Sequence, residues 1–175
     1  FSSLVGASNV TAGDRSSLTT NDYLLGYGCG GSGYTGVGGV VSTSDYAANS
    51  YRVMFQLLFG SYFGDWDNRN NVLRAAISGP TYGLTAAWGS RPNWFLHHMG
   101  MGEPVGTGYM ASTEVLPYVT SLGGGSVHVS LMGDPTLRLS YVPPASNLNA
   151  VTSGANTNLT WTASRDSAVR GYNVY

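Results

Sequence analysis

Two small polar side chains in this chain stand where chemistry could be done. Cys29 closes the apolar run Tyr23-Leu24-Leu25-Gly26-Tyr27-Gly28, and Ser61 follows Val53-Met54-Phe55-Gln56-Leu57-Leu58-Phe59-Gly60. Each run has the length and apolar content of a buried strand, and each ends in glycine. An open α/β sheet presents its reactive groups at strand ends of this kind. A thiol is a strong nucleophile once a base, most often an imidazole, takes its proton. The bases on offer are His97, His98 and His128. A serine hydroxyl is weaker and needs a base in hydrogen-bond reach. Gly60-Ser61-Tyr62-Phe63-Gly64 also puts the serine one position too early for a G-x-S-x-G elbow. The plainer alternatives are a buried, apolar role for Cys29 and, for Ser61, a small residue that lets the Gly64-Asp65 turn pack.

A second candidate site is Trp94-Phe95-Leu96-His97-His98-Met99-Gly100-Met101-Gly102-Glu103, which follows the apolar run ending at Trp88. Trp88, Arg91, Trp94, His97, His98 and Glu103 form an apolar and polar mixture suited to holding a ligand. The paired histidines with Glu103 suggest zinc, but no H-E-x-x-H is present and adjacent histidines are expected to point apart. The plainer reading is one packed and one solvated histidine. Asp65-Trp66-Asp67-Asn68-Arg69-Asn70-Asn71 has the look of a calcium loop, with Asp65 and Asp67 as ligands. It fails the D-x-[DN]-x-[DN]-G pattern at Arg69 and Asn70. Helix capping by Asn68 or Asn70, with Asp65 bonding backbone amides, is the expectation. Asp134 before Pro135 is expected to form a turn. No metal and no cofactor is implied.

The elements that must carry these residues are legible as runs. The chain has 175 residues, 42% of them hydrophobic, enough for one core of ordinary size and part of another. Charged residues are 10%, against about a quarter in ordinary globular domains. All eight cations are arginine and the net charge is −1, so nucleic acid is a poor partner. No apolar run is long enough for a membrane span. One cysteine excludes an internal disulfide. Abundant Gly, Ser, Thr, Asn and Tyr with little charge suggest an extracellular or cell-surface protein. The chain opens and closes mid-pattern and reads as a stretch of a longer one.

The expected strands are Tyr23–Tyr27, Met54–Phe59, Gly83–Trp88, Ser126–Met132 and Thr136–Tyr141. The expected helices are Asn70–Ser78, on the spacing of Val72, Leu73, Ala76 and Ile77, and one through Asp45–Tyr51. Unalternating apolar strands between helices predict an α/β sheet covered on both faces. Gly123-Gly124-Gly125 is expected to be a loop. A boundary is expected at Val142-Pro143-Pro144, dividing 1–142 from 143–175. Beyond it the period becomes two, with Leu148, Ala150, Leu159, Trp161, Tyr172 and Val174 on one face.

Four segments of 1–142 together resemble the gingipain-like (C25-type) cysteine peptidases. Tyr27-Gly28-Cys29-Gly30 is similar to that family's strand ending in G-H-G, and Val41-Ser42-Thr43-Ser44-Asp45-Tyr46 to the segment after it. Phe59-Gly60-Ser61-Tyr62-Phe63-Gly64-Asp65-Trp66 is similar to A-C-x-x-G-D plus an aromatic, and Leu131-Met132-Gly133-Asp134-Pro135-Thr136-Leu137 to F-G-D-P-x-L. The resemblance implies a caspase-like, mostly parallel sheet flanked by helices, lacking its N-terminal strands. It also implies a His-Cys dyad acting on a polypeptide substrate, with the region after Trp88 lining the pocket. In this register Cys29 occupies the histidine position and Ser61 the cysteine position. A thiol, with an ordinary pKa of about 8.5, is a poor base near neutrality, so a catalytically degenerate domain that binds a protein ligand, or only spaces, is expected. Two alternatives stand beside it: an active cysteine endopeptidase using Cys29 with a base from His97, His98, His128 or an upstream part, and an adhesion or carbohydrate-binding module using Tyr62, Trp66, Trp88 and Trp94. The segment 143–175, with its Trp161 and Gly171-Tyr172-Asn173-Val174-Tyr175, resembles the first strands of an all-β fibronectin type III sandwich.

Overall fold

The computed structural model describes residues 1–65, 67–80, 82–89, 94–114, 129–140, 143–172 and 174. Contacts divide the chain into two units, Phe1–Leu139 and Ser140–Tyr175.

The first unit opens with two single-turn helices, α1 (Ser2–Val5) and α2 (Ser17–Thr20). Strand β1 (Tyr23–Cys29) follows. A glycine-rich meander comes next, of three two-residue strands: β2 (Ser32–Gly33), β3 (Gly36–Val37) and β4 (Val41–Ser42). It runs into α3 (Thr43–Ala48) and then the central strand β5 (Val53–Phe59). Beyond lie α4 (Val72–Ala76), β6 (Thr85–Trp88), α5 (His97–Gly100), α6 (Val105–Glu114) and β7 (Ser130–Gly133). The main sheet has four strands in the order β1-β5-β6-β7. The pairs β1–β5 and β5–β6 are parallel, whereas β6–β7 is antiparallel. The unit is therefore mixed α/β, with a mostly parallel sheet flanked by helices and a small antiparallel sheet, β2-β3-β4, beside it.

Both faces of the sheet are covered, which is why β5 reads as an unbroken apolar run. One face carries Leu58, Ala86 and Met132 against Val37 and Val41 of the meander and Val72, Leu73 and Ala76 of α4. The other carries Phe55, with Leu25 and Leu131, against Met99 of α5 and Val105 of α6. Burying one such side chain fully is worth about 1.5 to 3 kcal/mol, so the covered β5 anchors the unit. Its one polar core residue is satisfied. Gln56 Oε1 accepts from the Tyr46 hydroxyl of α3, and Nε2 donates to the Ala76 carbonyl of α4 at 3.3 Å. Burial holds the Tyr46 phenol well above the usual tyrosine range, so it stays a donor.

Close backbone approach fixes where the meander sits. A Cβ at Gly30 would run into the Gly38 carbonyl, whereas one at Gly31 would meet nothing. Gly38 N donates to Gly31 O at 2.8 Å, closing the same contact. At the start of α3, Ser42 and Asp45 form a reciprocal capping box: Asp45 N donates to Ser42 Oγ at 3.2 Å, and Ser42 N to Asp45 Oδ2 at 2.8 Å.

Several expected boundaries move. The helix expected over Asn70–Ser78 is confined to Val72–Ala76, capped by Asn71 rather than Asn68 or Asn70. Asn71 Oδ1 accepts from Leu73 N at 2.9 Å, and its Nδ2 donates to the carbonyls of Phe63 and Asp65. Asp65 thus takes part in the turn through its backbone rather than its carboxylate. The helix expected through Asp45–Tyr51 starts earlier, at Thr43, because Ser42 is the cap. The strand expected from Gly83 starts at Thr85, after Tyr82 and Gly83, both left-handed with φ of 58° and 61°.

No strand forms over Thr136–Ser140, and Tyr141 lies outside the described residues. There the carbonyls of Pro135 and Leu137 accept from Gly106 N and Val105 N at 2.9 and 2.8 Å, filling donors that the first turn of α6 leaves open. Asp134 does form the turn: its Oδ1 accepts from Thr136 N at 2.8 Å. Of the strand expected over Ser126–Met132, the part before Val129 lies outside the described residues, as does Gly123-Gly124-Gly125.

The second unit holds the hairpin of β8 (Ser146–Ser153) and β9 (Asn156–Thr162). Its tight turn has Gly154 at φ 61°, a conformation glycine adopts without a Cβ penalty. Trp161 packs edge-on against Tyr172, ring centroids 5.5 Å apart. The expected third strand does not form at Gly171, Tyr172 or Val174. Leu148 and Trp161 stay 71% and 38% exposed, so this hairpin buries little of its apolar face.

Two outcomes follow from these contacts. Gly30→Ala should lower stability by about 1 to 3 kcal/mol in urea unfolding, while Gly31→Ala should change it little. Ser42→Ala should cost about 1 kcal/mol through the lost cap. The Ser42 hydrogen bond, with lesser help from Arg15, holds the Asp45 carboxyl below its ordinary value of 3.8. Its stabilisation is present above about pH 4 and is lost as pH falls through the lowered value. Unfolding midpoints between pH 5 and 2 should therefore fall less steeply in Ser42→Ala than in the parent.

Candidate functional site

The carboxyl ends of β1, β5 and β6 form one rim, since these strands run parallel. Cys29 is the last residue of β1 and pairs in register with Phe59, the last of β5. Ser61 follows one residue after Gly60. The two expected dyad positions therefore stand at neighbouring strand ends. Two hydrogen bonds knit them: Gly30 N donates to Phe59 O at 3.1 Å, and the Ser32 side-chain Oγ to Ser61 O at 3.0 Å. A Cβ at Gly60 would collide with Ser32 Oγ, so the meander presses directly on this rim.

Cys29 is exposed, which removes the buried, apolar reading of this residue. Ser61 is exposed too. Among the described residues neither Sγ of Cys29 nor Oγ of Ser61 has a hydrogen-bonding base. His128 lies outside the described residues, as do Arg91 and Trp66.

Trp88 ends β6 and belongs to the same rim. Its Nε1 donates to Gly60 O at 2.6 Å, and its ring meets Phe63 edge-on with centroids 6.5 Å apart. Gly64 lies so close to that ring that a Cβ would sit 2.9 Å from Cδ2. The glycine of the Gly64-Asp65 pair is thus required by packing against Trp88. Tyr62, in the same turn, is a non-glycine residue at φ 71° and 61% exposed. Its ring leans against Tyr34 of the meander, with centroids 6.0 Å apart.

The residues expected after Trp88 divide. Trp94 packs on Tyr109 of α6, with ring centroids 6.1 Å apart, and its buried Nε1 lacks a partner among the described residues. His97 and His98 occupy α5, where His97 is exposed and His98 half-buried. Their rings lie 4.2 Å apart at the centroids rather than pointing away from each other, with Phe95 edge-on to His97. Glu103 N donates to the His98 carbonyl, while its carboxylate stands 3.9 Å from Arg138. No three His, Cys, Asp or Glu side chains gather into a metal-holding group among the described residues.

No protein-family model, curated protein or solved structure matches this chain.

Sequence reasoning missed three parts of this rim. Tyr109 sits on α6, whose Gly106 and Gly108 blur any apolar stripe. The meander is made of two-residue strands too short to read as runs. Asn71 stood third among near-adjacent asparagines, and its capping role depends on where Phe63 lies. Trp88→Phe should keep the ring packing but leave Gly60 O without its indole donor. A loss of about 0.5 to 1.5 kcal/mol in urea unfolding is expected, with no change in far-ultraviolet circular dichroism.

Proposed function

We propose that this chain is a peptidase-like domain of gingipain type that has given up its catalysis, followed by the opening strands of a fibronectin type III module. The observation that carries the reading is the pair of neighbouring parallel strand ends bearing Cys29 and Ser61. The resemblance puts an imidazole on the first of these and a thiol on the second. With a thiol and a hydroxyl there instead, proton transfer from nucleophile to base has no imidazole to serve it. Two further features support the caspase-like reading: the order β1-β5-β6 of parallel strands, and the Pro135 and Leu137 carbonyls of the Gly133–Leu137 segment closing the start of α6. In this reading the domain serves as a binding or spacing part of an extracellular or surface protein, its partner a polypeptide ligand. No helix among the described residues is long and apolar enough to cross a membrane.

A second reading, an active cysteine-type endopeptidase using Cys29, is favoured by the exposure of that thiol at a strand end. The two separate experimentally. The chain should leave a mixed library of fluorogenic peptides uncut, and iodoacetamide should label Cys29 slowly below pH 7, with Cys29→Ala as the blank. Fast labelling below pH 7, the mark of a thiolate held by a nearby cation, together with cleavage lost in Cys29→Ala, would replace the first reading by the second.

A further inference from the structure

Beside the dyad positions, and not including them, lies a cleft of about 840 Å³ between the turn after β5, the end of β6, α6 and the start of β7. Its walls carry the rings of Tyr62, Trp88 and Tyr109 and the polar groups of Asp65, Asp67 and Ser130. We propose that this cleft binds a neutral oligosaccharide, with sugar faces laid on the aromatic rings and sugar hydroxyls donating to Asp65 and Asp67.

Three observations carry the assignment. The first is the exposed ring of Tyr62 beside the half-buried rings of Trp88 and Tyr109. Tyr62 is 61% exposed although its backbone occupies the left-handed region at φ 71°. A tyrosine rarely adopts that conformation, and here it holds the ring out at the cleft mouth against Tyr34. Tyr109 is likewise fixed, by Trp94 behind it.

The second is the balance of donors and acceptors. Trp88 Nε1 is already committed to Gly60 O, and among the described residues no Arg or His lines the cleft. Neither the Asp65 nor the Asp67 side chain has a hydrogen bond or ion pair among the described residues. Its described lining is therefore rich in acceptors and matches a ligand rich in donors, as a polyol is.

The third is size. A lone ammonium or guanidinium group is held well only when rings stand within about 6 Å of it and water is excluded. A cleft of about 840 Å³ falls instead in the range that takes a ligand of several rings. Exposed carboxylates would also hold a cation only weakly in salt.

The assignment does not depend on the state of Cys29, so it can fail while the reading of the dyad stands, and the reverse. The test is calorimetric titration of the 175-residue chain with cellohexaose, chitohexaose and mannohexaose, and with hexa-arginine as the cationic probe. At least one oligosaccharide should bind saturably, with affinity unchanged when salt is raised. Tyr62→Gly relieves the backbone while removing the ring. It should weaken that binding about tenfold or more, equivalent to about 1.4 kcal/mol, with an unfolding midpoint equal to the parent's or higher. Tyr62→Phe should restore it, and Asp65→Asn with Asp67→Asn should weaken it. The proposal is overturned if no oligosaccharide binds, if binding survives Tyr62→Gly, or if only hexa-arginine binds and salt abolishes it.

Discussion

The larger unit depends on backbone meeting backbone at the ends of β1 and β5. Gly30 against Gly38, and Gly60 against Ser32 and Gly30, leave no room for a Cβ. Where peptide planes approach that closely, the hydrogen bonds between Gly30 and Phe59 and between Gly38 and Gly31 form without competition from side chains. Glycine carries an entropic cost in a strand or loop. The chain spends its many glycines where this approach is needed, and the apolar layers on both faces of β5 compensate.

That constraint also shapes the rim. Because the meander folds down onto the strand ends, Ser61 and Tyr62 are turned outward, and Trp88 closes the gap through its bond to Gly60 O. Cys29 and Ser61 come near one another through parallel register, not through any bond between their side chains. The aromatic cleft shares Tyr62 and Trp88 with this rim but includes neither Cys29 nor Ser61. One strand end thus serves two neighbouring surfaces with different chemistry.

The sheet's strands were legible because a strand covered on both faces must be apolar throughout, and β5 is. The edge strand β1 was legible for its apolar residues although Tyr27 is half exposed, since period alone does not report exposure. What was illegible depended on contacts distant in sequence. Thr136 to Ser140 has strand-like composition, yet the carbonyls before and within it are taken by α6. Asn71 could not be told from its neighbours Asn68 and Asn70 without knowing that the Phe63 carbonyl lies beside it. At the site, Cys29 and Ser61 were found because each follows an apolar run. Tyr109 was not, because nothing local marks it.

The parallel pairing of Tyr23 with Val53 and of Cys29 with Phe59 joins segments 30 positions apart. Contacts so distant along the chain form only after a large loop has closed, and loop closure is slow to be rewarded. The pairing that sets Cys29 beside Phe59 therefore has no local precursor in either strand alone. A peptide spanning only β1, or only β5 and its turn, would hold the right residues and none of the surface. An opening that frees β1 from β5 therefore parts Cys29 from Ser61, while Trp88 and Gly60 stay joined across β5 and β6.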